Sequence, residues 1–119
     1  MLSKGLAYEE IAQKHLTKAG LKTLDKNFCC RSGEIDLIML DRSTLVFIEV
    51  RFRKNSLYGS AAESVNSLKQ RKIIKTAEYY LTKKDLWHLA TRFDVIAITP
   101  STERPGDNSI TWHKSAFIC

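Results

Sequence analysis

Two short stretches set acids in apolar company: Glu34-Ile35-Asp36-Leu37-Ile38-Met39-Leu40, and Thr44-Leu45-Val46-Phe47-Ile48-Glu49-Val50-Arg51-Phe52-Arg53. Both are rich in β-branched and aromatic residues and read as strands. Polar Asp41-Arg42-Ser43 between them reads as a turn. If Arg42-Ser43 are the two turn residues, Asp36 faces Glu49, Ile38 faces Phe47 and Leu40 faces Leu45. Directly paired residues hold their Cβ atoms about 4.5–5.5 Å apart, so two carboxylates there repel. A protein tolerates such a pair when a cation lies between them or one acid is protonated. Mg²⁺ or Mn²⁺ suits carboxylate oxygens, and such an ion activates water and steadies charge on a transferring phosphoryl group. Arg51 lies two residues past Glu49 on the same face. The plain alternative is an intrasheet ion pair in which Arg51 neutralises Glu49, and spacing alone leaves both readings open. The register is the sensitive step. Arg42-Ser43 is not a favoured hairpin pair, and a slip of one residue swaps the faces of a strand.

The remaining elements have to position that pair. Residues 3–19 have helical spacing in Tyr8, Ile11, Ala12, Leu16 and Ala19, with Ser3 as a cap and Gly20 as a stop. Residues 21–28 form a weak strand signal, and 66–84 return to helical spacing through Ile73, Ile74, Ala77, Tyr80 and Leu81. Residues 92–98 read as a strand, 100–108 as a loop holding both prolines, and 109–113 as a last, edge strand. The order is α β β β α β β. The central hairpin is apolar on both faces, so it needs cover on both, which two helices supply in an α/β sandwich.

The chain has 119 residues, 44% of them hydrophobic, which suits one domain over residues 1–119 and excludes wholesale disorder. The apolar runs are only a few residues long, so no segment spans a bilayer. The N-terminus carries no apolar signal region, and a cytoplasmic location is expected. Three cysteines, Cys29, Cys30 and Cys119, lack metal-ligand spacing and read as reduced thiols. The net charge of +6 is unevenly placed. Residues 51–84 hold nine basic and two acidic side chains, a net of +7, which leaves −1 on the remainder. Lys69, Lys72 and Lys75 follow one another at three-residue steps along the second helix, and Arg53 and Lys54 leave the strand just past the acids. Such a row beside an acid pair suits a phosphate backbone, although a basic helix face is commonly only solvated. Tyr58 and Tyr79 are candidates to stack on bases, whereas Tyr80 is expected in the core.

The run Arg31-Ser32-Gly33-Glu34-Ile35-Asp36-Leu37-Ile38, followed by Leu45 to Arg53, resembles the signature of the YraN-like family. These are small uncharacterised bacterial proteins assigned to the PD-(D/E)XK restriction-endonuclease-like superfamily. The likeness extends to Gly5 and Glu9, Tyr58-Gly59, Glu63, Lys69-Gln70, Arg92-Phe93-Asp94-Val95 and Ala116-Phe117. It implies an αβββαβ core with a mixed central sheet flanked by helices. It also implies DNA or RNA as partner and a Mg²⁺- or Mn²⁺-dependent endonuclease. In that family pattern Asp36 and Glu49 match the metal-binding acids, the Val50 carbonyl a further ligand, and Glu9 an assisting acid. Lys69, Gln70, Lys72 and Lys75, with Arg53 and Lys54, are the nucleic-acid-binding candidates. The departure is Arg51, where the pattern has Lys. An arginine stays protonated and holds phosphate rather than deprotonating water. A non-catalytic nucleic-acid or protein-interaction module on the same fold is the alternative, and the edge strand at 109–113 allows a homodimer. Without the resemblance, Glu9 reads more readily as a solvated helix residue beside Glu10. Gly33 suits the turn before the strand. Glu34 is a candidate extra ligand, ranked last among the acids.

Overall fold

A hairpin apolar on both faces has to be covered on both, and the helices divide that task. The computed structural model of the protein describes residues 4–53 and 65–117. Helix α1 (Lys4–Lys18) leads into β1 (Lys22–Cys30), β2 (Gly33–Asp41) and β3 (Thr44–Phe52). Helix α2 (Ser67–Lys84), β4 (Ala90–Pro100) and β5 (Asn108–Phe117) follow. Strand order in the single sheet is the chain order, β1 to β5. β3 and β4 pair parallel and every other neighbour pairs antiparallel. A parallel pair needs a crossover, and α2 lies in that connection. This is the expected mixed-sheet αβββαβ core with one further strand. No helix among the described residues is long and apolar enough to cross a membrane.

The helix ends follow their chemistry. Beyond α1, Gly20 adopts φ +103°, a left-handed turn that glycine enters without strain, and the Leu21 N–H donates to the Leu16 carbonyl. Ala19, expected on the buried stripe, is exposed because it lies in that turn. The proposed cap Ser3 lies outside the described residues. Asn66 caps α2 by accepting the Lys69 N–H at 2.9 Å. On one side of the sheet α2 buries Ile73, Ala77, Tyr80 and Leu81 against Ile38 and Phe47. On the other, α1 buries Ala12 and Leu16 against Leu37, Val46, Ile48 and Ile96. Tyr80 is a core residue, as its spacing implied.

The hairpin register is the expected one from Asp41↔Thr44 to Leu37↔Ile48, and there the described pairs stop. Ile35 shares the α2-side core with Ile38, three residues away, while Leu37 lies on the α1 side. A regular pleat would place Ile35 and Ile38 on opposite faces, so β2 is broken at Asp36–Leu37. The neighbouring strand kinks at the same level, since Asn27 takes φ +51° between the pairs Lys26↔Leu37 and Phe28↔Ile35. The direct Asp36–Glu49 pair expected from the register is therefore replaced. Asp36 leaves the ladder, and its Oδ2 accepts the Val50 N–H at 2.8 Å.

β5 is longer than the strand expected at 109–113 because a second irregularity carries it past Ser115 (φ +51°) to Phe117. The Ser115 N–H donates to Asp94 Oδ1 at 2.9 Å, and Trp112 Nε1 donates to Asp94 Oδ2 at 2.8 Å. Arg92 Nε donates to Asp94 Oδ1 at 2.9 Å while its Nη2 reaches Asp41 at 3.1 Å. Asp94 is wholly buried. Paired and hydrogen-bonded in this way, a buried charge is tolerated, and it pins β2, β4 and β5 together.

Candidate functional site

The break in β2 gathers acids. With Asp36 off the ladder, Glu34 keeps to its side, and α1 brings Glu9 over both. One carboxylate oxygen from each of Glu9, Glu34 and Asp36 lies within 4.8 Å of the other two. Trans ligands at about 2.1 Å from a Mg²⁺ ion span about 4.2 Å, so this set closes on one ion with a small inward movement. The donors are all hard carboxylate oxygens, the kind that Mg²⁺ and Mn²⁺ prefer. Among the described residues no Lys or Arg forms a salt bridge with any of the three. Asn27 closes the cluster from β1. With its amide nitrogen turned to the acids, it donates to Glu9 Oε1 at 2.9 Å, to Oε2 at 3.0 Å and to Glu34 Oε1 at 3.3 Å.

These surroundings hold a proton on the cluster. Burial, a hydrogen bond shared with Asp36 and the Asp36 charge push the Glu9 carboxyl up to about 7. The Asn27 bond opposes the shift, and Glu34 adds to it. Three carboxylates this close to one another repel, and a proton shared among them relieves that repulsion.

Glu49 and Arg51 lie on the other side of β3. By alternation from Phe47 they face α2, whereas Val50 and Phe52 pack with the α1-side core. Glu49 is only 4% exposed and meets Lys69 Nζ at 3.7 Å. Burial and the nearby Asp36 charge push its carboxyl up to about 8, against the pull of Lys69 and Arg51. Glu49 Oε1 and Arg51 Nε are buried and without a hydrogen-bond partner among the described residues. The expected constellation is thus split. Glu9, Glu34 and Asp36 converge on one side of the broken strand, and Glu49, Arg51 and Lys69 on the other. Asp36 is joined to Val50 through the main chain, and its charge reaches Glu49. Glu34, ranked last from the sequence, joins the cluster beside Asp36, since residues two apart on a strand share a face.

The basic row also divides. Lys69 is engaged by Glu49, and Gln70 Nε2 donates to the Val65 carbonyl at 2.8 Å, where it tethers the start of α2. Lys72, Lys75 and Arg53 are exposed, while Lys54 and Tyr58 lie outside the described residues. A cleft of about 340 Å³ separates the β1–β2 hairpin from α2, and Glu34, Lys69 and Lys72 are among its lining. Glu34 and two lysines therefore border one cleft. Cys29 and Cys30 are free thiols, as their adjacency implied.

Residues 8–98 match the model of a family described as "Uncharacterised protein family UPF0102". A UPF0102 protein of Psychromonas ingrahamii is 48% identical over 116 residues, covering 97% of this chain and 89% of that one. Those of Stutzerimonas stutzeri and Photobacterium profundum are each 44% identical over 117 residues. They cover 97% of this chain and, respectively, 94% and 90% of theirs.

Proposed function

The chain belongs to the uncharacterised bacterial family UPF0102, and from that premise we propose that it binds nucleic acid and hydrolyses phosphodiesters with a divalent cation. One observation carries this reading: the carboxylates of Glu9, Glu34 and Asp36 converge within 4.8 Å, and Glu34 among them also lines a cleft with Lys69 and Lys72. When bound, Mg²⁺ or Mn²⁺ supplies a more acidic water and neutralises phosphate charge. The chain's own groups do the rest. Asp36, aimed by the Val50 N–H, and Glu9, carried on α1, hold the cation, with Glu34 as a third donor. The Val50 carbonyl is the further ligand implied by resemblance; Glu49, which the resemblance also implies, lies across β3 from the three acids and meets Lys69. Arg51 remains protonated and holds a phosphate oxygen rather than removing a proton from water. Exposed Arg53, Lys72 and Lys75 track the backbone beyond the site.

The test is cleavage of labelled DNA and RNA of several structures, with and without Mg²⁺ or Mn²⁺. Cleavage that requires the ion and vanishes in Asp36→Asn is expected. Absence of ion-dependent cleavage on every substrate refutes the hydrolytic reading. One feature favours a second reading, non-catalytic binding of nucleic acid. Arginine stands where the superfamily pattern has lysine, and an arginine cannot serve as a base. That reading predicts salt-sensitive binding that survives Asp36→Asn and weakens in Lys72→Glu.

A further inference from the structure

An exposed aromatic ring lies on α2 one residue before the core tyrosine. Tyr80 already fills the core, edge-on to Phe28 at 5.0 Å and to Phe47 at 6.0 Å. Tyr79 points outward and is 50% exposed, with Phe28 propping it from behind at 6.1 Å. It edges a depression of about 400 Å³ between α2 and the β1–β2 hairpin tip, with Cys30, Arg31, Ser32 and Lys83 around it. Lys83 Nζ lies 6.0 Å from the Tyr79 ring centre. Among the described residues neither Arg31 nor Lys83 has a carboxylate partner. The depression is thus an aromatic face flanked by two cations free of acids.

This depression is a neighbour of the acid-edged cleft. The hairpin presses on α2 at Gly33 (φ +152°), where an added Cβ would meet Thr76 Oγ1 at 3.3 Å. That contact separates the cleft of Glu34, Lys69 and Lys72 from the depression of Arg31, Tyr79 and Lys83. Lys72, Lys75, Tyr79 and Lys83 follow at steps of three and four and form one exposed stripe. Lys72 and Tyr79 are about 10 Å apart along the axis, at ~1.5 Å per residue.

Resting on the nucleic-acid reading above, we infer that Tyr79 is the stacking platform of a binding subsite for single-stranded nucleic acid. One unpaired base lies on its ring, and Arg31 and Lys83 take the flanking phosphates. Cations alone attract single and double strands alike. The aromatic ring decides between them, because a duplex buries its base faces in its own stack while a single strand offers them to a protein ring. The subsite therefore selects a single-stranded segment leading to the acid site.

The experiment is fluorescence anisotropy of a labelled single-stranded oligothymidine and of a duplex of equal length. It uses wild type, Tyr79→Ala, Tyr79→Phe and Arg31→Ala. Wild type is expected to prefer the single strand. Tyr79→Ala should weaken single-strand binding by about 5- to 100-fold, the effect of losing one stacked base, and leave duplex binding within twofold. Tyr79→Phe keeps the ring and should stay within twofold on both, and Arg31→Ala should weaken the single strand and lower its salt dependence. Unchanged single-strand affinity in Tyr79→Ala, or equal losses on both ligands, overturns the inference. Unaltered melting of each variant assigns any loss to the surface. Binding that fails only in Lys72→Glu overturns the subsite and leaves the nucleic-acid reading standing. A wild type that binds neither ligand overturns both.

Discussion

Replacing Glu9 by Gln should make the protein more stable at alkaline pH and leave it unchanged in acid. Gln mimics the protonated carboxyl, since its amide can still donate toward Asp36 and its oxygen can still accept from Asn27. The Glu9 carboxyl, ordinarily near 4.5, is raised to about 7 by burial and by Asp36. A raised carboxyl favours the folded state fully below its unfolded value, and that advantage is lost as pH climbs through its folded value. The window is therefore about pH 4.5 to 7. A shift of that size corresponds to ~3.4 kcal/mol at ~1.4 kcal/mol per unit. Glu9 is only partly buried, and solvent screening reduces the effect to about 1–2 kcal/mol. Urea denaturation at half-unit steps from pH 4.5 to 8.5 should show the two proteins coinciding at the acid end. They should separate by about 1–2 kcal/mol above pH 7.5, or about 4–8 °C in Tm. Glu49, raised to about 8, is present in both proteins, so the difference isolates Glu9. Saturating Mg²⁺ should flatten the wild-type slope, because a cation relieves the same repulsion as the proton. Parallel curves at every pH would refute the proton-sharing cluster.

Further tests address the other groups. Asp36→Asn keeps an acceptor for the Val50 N–H and removes the charge, so stability should hold within about 1 kcal/mol while calorimetric Mn²⁺ affinity falls at least tenfold. Lys69→Met removes the cation that pulls Glu49 down, and the Glu49 carboxyl, followed by NMR, should titrate above its wild-type midpoint near 8. Asp94→Ala strands the Trp112 Nε1–H and the Ser115 N–H and unpairs part of Arg92. It should cost about 3–5 kcal/mol in chemical denaturation, and a loss under 1 kcal/mol would contradict the hub.

Local chemistry made much of this protein legible from its residues. Apolar periodicity located both helices and the strands, because burial repeats every two residues in a strand and about every 3.6 in a helix. The paired positions of β2 and β3 followed from taking Arg42-Ser43 as the two turn residues. Asp36 and Glu49 were singled out as acids in apolar company, and the family likeness agreed and added Glu9. The tertiary structure alone decided which acids meet. Whether Asp36 faces Glu49 or Glu9 depends on a break in the pleat of β2, on Asn27 of another strand taking a left-handed turn beside it, and on α1 delivering Glu9 over the gap. The roles of Lys69 and Gln70 were likewise hidden, because a lysine or an amide on an amphipathic helix reads as solvated until a buried carboxylate or a loop carbonyl comes within reach. Periodicity records which side of an element is buried. It carries no record of where a strand departs from its own period, because that departure is set by contacts between segments distant in sequence.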